Sequence, residues 1–162
     1  MMGGDLFLIP PIDLVFVLSA LIFNLLITGI YLSERLGRHR LVFQFGIALL
    51  CLTIPFLIVF IAYLQDGASF WVIIVFLAIF GYMFLEWLWD YQLKIDFRSQ
   101  PKLHIPYIIL FYFVQFGFIA IAFFISDTWG WIISVSFWLL LGALVFSLIP
   151  RRKSGSGSPP GT

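Results

Sequence analysis

Charge is what this sequence has least of. Asp, Glu, Lys and Arg make up 10% of its 162 residues, against roughly 25% in soluble domains. No polar stretch is long enough to fold as a soluble domain of its own. The single cysteine, Cys51, excludes an intrachain disulfide and a thiol–disulfide enzyme, which needs a pair. Lying inside an apolar run, Cys51 is expected to be a small buried hydrophobe. The two histidines, His39 and His104, fall in or beside polar connections and are expected to be solvated. They do not face each other on helices as a bis-histidine haem site would require. A Gly-rich phosphate loop, a His-Glu-x-x-His metal motif and a nucleophile elbow are all missing. Residues 1–13 hold Asp5 and Asp13 and no Lys or Arg. A signal peptide begins with positive charge, so the first apolar run is expected to stay in the chain.

What is present is apolar. Hydrophobic residues make up 62% of the chain, with 20 Phe, six Trp and six Tyr, and the mean hydropathy is +1.09. Such a chain has too little polar surface to cover a core in water and suits a lipid solvent. Five uncharged runs are readable: Leu14–Leu32, Leu41–Leu64, Ala68–Leu85, Ile105–Ser126 and Trp129–Ile149. A helix rising 1.5 Å per residue crosses a hydrocarbon core of about 30 Å in roughly 20 residues. Each run is about that long. The expected fold is therefore all-α: a polytopic five-helix up-down bundle with spans near 14–32, 41–64, 68–90, 105–126 and 129–149. The short connections force antiparallel neighbours. Residues 1–13 form an N-terminal segment, 14–150 the transmembrane domain, and 151–162 a basic, flexible tail ending in a Ser/Gly/Pro stretch. Pro55 is expected to kink the second helix.

Orientation follows from the basic residues. All nine Lys and Arg fall in three segments: Arg35, Arg38 and Arg40; Lys94, Arg98 and Lys102; Arg151, Arg152 and Lys153. With five spans these segments share one side, and the other holds only Asp5, Asp13, Asp66 and Asp127. The positive-inside rule makes the basic side cytoplasmic, with the N-terminus outside, in a plasma membrane. The nine basic residues are also candidate contacts for anionic lipid head groups on that side. Trp71, Trp129 and Trp131 mark outer helix ends; Tyr31, Trp87, Trp89, Tyr91 and Tyr107 mark inner ones.

The candidate chemistry lies on the third span. Tyr82, Glu86, Asp90 and Lys94 are four apart and line one face. Ionisable groups in a membrane are costly and often mark function. Glu86 falls near the inner boundary, where a structural ion pair with Lys94, Arg35 or Arg38 would also account for it. A metal site is not indicated, because no further ligand has matching spacing. Gln44 and Tyr107 fall at the depth of Glu86, so Gln44, Tyr82, Glu86, Asp90 and Tyr107 form the candidate polar cluster. A neutral set lies deeper: Asn24, Thr28, Thr53, Tyr112 and Gln115. Unpaired amides are expensive in hydrocarbon, so these are expected to bond across helices. Ser19, Gly46, Gly81, Gly117, Gly130 and Gly142 permit close helix approach.

No cofactor is specified by these residues, and nucleic acid is not an expected partner. The partners expected are the bilayer, a membrane-protein partner or a second copy. Lacking a catalytic constellation, the sequence reads first as a non-enzymatic accessory or assembly subunit, or a small homo-oligomer. A transporter or channel using Glu86 is the alternative. A membrane enzyme acting on lipid at the cytoplasmic face, with Glu86 or Asp90 as base, is the third reading. The direction in which Glu86 points separates the three.

Overall fold

The computed structural model describes residues 10–93 and 101–148. Among these residues the chain is all helix, with no strand. The helices are α1 (Pro11–Arg35), α2 (His39–Cys51), α3 (Thr53–Gln65), α4 (Phe70–Glu86), α5 (Pro101–Ile125) and α6 (Asp127–Leu148). A π-helical segment, Trp87–Leu93, continues α4. Taken together, α2 and α3 form one bent crossing. Five helices are then long and apolar enough to span a membrane: Pro11–Arg35, His39–Gln65, Phe70–Trp89, Ile105–Ile125 and Asp127–Ser147. This architecture fits a multi-pass membrane protein.

The helices outrun the uncharged segments because helix ends tolerate charge. α1 starts at Pro11, where a missing N–H costs nothing, and carries Asp13 in its first turn, where a carboxylate meets the positive end of the helix dipole. α5 likewise begins with a proline, Pro101, four residues ahead of its uncharged run. α1 ends in a Schellman turn. Gly37 adopts φ 71°, Arg38 N–H donates to the Ser33 carbonyl at 2.9 Å, and Gly37 N–H donates to Glu34 at 3.0 Å. α3 closes the same way at Gly67 (φ 74°), with Ala68 N–H on the Tyr63 carbonyl at 2.8 Å. Both turns need a residue tolerant of positive φ, and glycine supplies it.

The break between α2 and α3 follows from Pro55. Its nitrogen cannot donate to the Cys51 carbonyl. The chain tightens just before it, and Leu52 N–H donates to Leu49 at 3.1 Å instead of reaching one residue further back. Cys51 sits at this break and is exposed, contrary to the buried position expected of it. In a bundle solvated by lipid, an exposed apolar-run cysteine carries no desolvation penalty, so burial need not follow from hydrophobicity.

α1 is the hub, touching α2, α3, α5 and α6, while α4 packs between α3 and α5. Its inward stripe is Phe16, Ala20, Phe23, Ile27 and Ile30, with Val17 and Asn24 alongside, the three- and four-residue spacing of a helix face. Phe16 meets Phe56, Phe76 and Phe118 at centroid distances of 6.2, 5.8 and 6.1 Å. Phe56 stacks on Phe118 at 5.4 Å. Tyr63 donates to Asp13 at 2.6 Å, tying the end of α3 to the start of α1. This aromatic core gathers around Phe16, one turn from Asp13. The surface is apolar instead of polar, with Phe70 77% and Phe124 79% exposed, as expected where lipid is the solvent. Of the small residues, Gly117 does allow close approach: an added Cβ would lie 2.5 Å from Val75 Cγ1 on α4. Gly81 and Gly142 face open space.

Candidate functional site

The buried face of α4 runs Val72, Val75, Phe76, Ile79, Tyr82, Met83 and Glu86. The same periodicity that buries its apolar residues therefore carries Tyr82 and Glu86 inward. Glu86 is 7% exposed. Tyr82 Oη donates to Glu86 Oε1 at 2.8 Å. Tyr107, from α5, donates to the same oxygen. The two phenolic oxygens are 2.8 Å apart. Three oxygens thus form a triangle. With Glu86 ionised it holds two protons, both on phenols and both directed at the carboxylate, and hydrogen bonds to a charged group are the strong kind. The rings pack against aromatic neighbours. Tyr82 packs on Tyr107 at 5.3 Å, on Phe23 at 5.7 Å and on Phe111 at 5.7 Å. Trp89, in the π-helical segment, packs on Tyr107 at 5.9 Å. Such segments are rare and recur at functional sites, and this one begins directly after Glu86.

The triangle lines a cavity of about 220 Å³. α1 contributes Ile27, Ile30 and Tyr31, and α2 contributes His39, Val42, Phe43, Gly46, Leu49 and Leu50. His39 and Phe43 are exposed members of that lining. The cavity therefore opens toward the loop end at His39 and sideways past Phe43. At about 30 Å³ per water-sized group, it has room for roughly seven such groups.

Of the expected polar cluster, Tyr82, Glu86 and Tyr107 come together and Gln44 does not. The lining face of α2 is the 39–42–43–46–49–50 stripe, and Gln44 lies off it, exposed. Asp90 belongs to the π-helical segment; its side chain lies outside what is described. Lys94, Arg98, Arg151, Arg152 and Lys153 also lie outside the described residues. Arg35 stands over the Phe146 ring at 5.0 Å, while Arg38, Arg40 and Lys102 are exposed.

The deeper set divides. Asn24 Nδ2 donates to Ser136 Oγ on α6 at 2.8 Å. Thr28 donates to the Asn24 carbonyl one turn back at 2.7 Å, so its hydroxyl is used within its own helix. Thr53 reaches Met83 Sδ at 3.0 Å. Tyr112 is half-buried and packs on Phe111 and Phe137. Gln115 is fully buried, and neither of its amide atoms has a partner in the described chain.

His39, which is exposed, and Tyr31 also border the cavity, a place the run lengths and loop positions do not reveal. A signal was available. His39, Val42, Phe43, Gly46, Leu49 and Leu50 keep helical spacing, so a helix beginning at His39 puts it in line with the cavity-lining residues. No group of three or more His, Cys, Asp or Glu capable of holding a metal occurs among the described residues. Comparison of the chain with protein-family models, curated proteins and solved structures finds no match.

Proposed function

We propose that this is a five-span plasma-membrane protein, N-terminus outside and C-terminus cytoplasmic, that binds a small organic cation in a cleft opening to the inner leaflet. The single observation that carries the reading is Glu86: a carboxylate turned into an aromatic-lined cavity and held by two phenols. A carboxylate among tyrosine rings gives an ammonium group both a counter-charge and π-faces. The rim supports entry from the membrane surface, with His39 on the polar side and Phe43 on the apolar side.

Two contacts support the up-down arrangement. Asn24 meets Ser136 mid-helix, and Arg35 meets Phe146 near the C-terminal ends of α1 and α6. The two contacts follow the same order along both helices, as four antiparallel steps from the first crossing to the last would give. The nine basic residues then gather on the Arg35 side.

The aromatic core at the Asp13 end argues against a continuous path across the bundle. The cleft instead favours binding from one side, as a ligand-holding accessory subunit. The test is a titration of the protein in lipid nanodiscs with decylammonium, decanol and decanoate, followed by tryptophan fluorescence. Decylammonium alone should bind tightly. Losing one partner of a buried charge pair costs about 2 kcal/mol or more, so Glu86→Gln should weaken it by about 30-fold or more. Equal binding of decanol, or an unchanged Glu86→Gln, refutes the proposal.

A further inference from the structure

Independently of the cleft, the centre of the bundle holds polar groups that the described residues do not satisfy. Asn24 and Gln115 are both 0% exposed. Asn24 Oδ1, Gln115 Oε1 and Gln115 Nε2 have no hydrogen-bond partner in the described chain. Two sets of contacts put these side chains in one layer. On one side, Phe23 of α1 packs on Phe118 at 5.2 Å and on Tyr82 at 5.7 Å, and Tyr82 packs on Phe111 at 5.7 Å. Gln115 lies between Phe111 and Phe118 on that face of α5, and Asn24 follows Phe23. On the other side, Asn24 bonds Ser136, whose neighbour Phe137 packs on Tyr112 and Phe116 at 6.3 and 5.9 Å. Those two residues bracket the level of Gln115.

The unused groups are two acceptors and an amide donor. Their complement is a molecule that both donates and accepts within a very small volume. Buried water does this, making about three hydrogen bonds to groups that would otherwise go unsatisfied. We infer that Asn24 and Gln115 build a water-binding site at the centre of the bundle, joining α1, α5 and, through Ser136, α6. A packed core of Leu and Phe would hold these helices without specifying their rotation. A shared water fixes which faces meet.

The test is water-edited solid-state NMR of the wild-type protein in bilayers, with glutamine labelled in its side-chain nitrogen. Gln115, assigned through Val114 and Phe116, should show polarisation transfer from water despite its burial. Absence of transfer, while exposed Gln65 shows it, overturns the inference. A double-mutant cycle with Asn24→Leu and Gln115→Leu gives a second reading. A shared water makes the second substitution less damaging than the first. Additive effects, or a Gln115→Leu protein more stable than wild type, overturn it. A direct Asn24–Gln115 bond would give coupling without transfer from water, and that result also overturns it.

Discussion

Tyr107→Phe isolates the Glu86 triangle from everything around it. The substitution removes one oxygen and leaves the ring, so packing on Tyr82 and Trp89 is retained. Among the described contacts, what is lost is the hydrogen bond to Glu86 and the contact with Tyr82 Oη. A hydrogen bond to a charged group contributes about 1.5–3 kcal/mol, and a neutral one about 0.5–1.5 kcal/mol. Because Tyr82 already donates to Glu86, the phenol–phenol contact adds little, and the expected loss is about 2–3 kcal/mol. Removing both phenols leaves the carboxylate buried with neither donor, so Tyr82→Phe/Tyr107→Phe should lose more than the two single losses combined. Glu86→Gln keeps an acceptor oxygen for both phenols and should change stability by less than either single tyrosine variant. The measurement is reversible unfolding in mixed micelles with increasing dodecyl sulfate, followed by circular dichroism. Should Tyr107→Phe unfold like wild type while Glu86→Gln is strongly destabilised, the triangle is not what holds this end of the bundle.

Other variants probe the packing and the orientation. Gly117→Ala would push a methyl group into Val75 and should destabilise by about 1–3 kcal/mol, whereas Gly142→Ala, in open space, should be neutral in the same unfolding assay. Phe118→Ala removes the ring that stacks on Phe56 and meets Phe16 and Phe23, and should cost about 3–5 kcal/mol. Cys51 is exposed, so Cys51→Ser should fold normally and serve as a background for topology mapping. In that background Asp66→Cys and Asp127→Cys should react with an impermeant maleimide added to intact cells, and Arg38→Cys only after permeabilisation; the reverse pattern refutes the proposed orientation.

Several features were legible from one residue type at a time. Pro55 announces the break at Leu52 because a proline nitrogen cannot donate. Gly37 and Gly67 sit where a helix end needs positive φ. The four-residue step from Tyr82 to Glu86 puts them on one face in any α-helix. Other features were not legible in this way. Gln44 has the depth of Glu86 but a different azimuth, and depth is all that run lengths report. Ser136 reads as an ordinary small polar residue until Asn24 is found beside it, 112 positions away in sequence.

The sequence by itself determined five apolar helices, their approximate ends and the gathering of positive charge between alternate pairs. Those follow from the thickness of a bilayer and from the backbone's need to satisfy its own hydrogen bonds where no water is available. Only the tertiary structure decided how each helix is rotated. In water, a polar face and an apolar face would have announced it. In a chain such as α5 or α6, whose apolar residues run round every face, lipid and core look alike to the sequence. The inward turn of Glu86, the place of His39 at the cavity's rim and the meeting of Asn24 with Ser136 depend on packing between helices, which no single segment encodes.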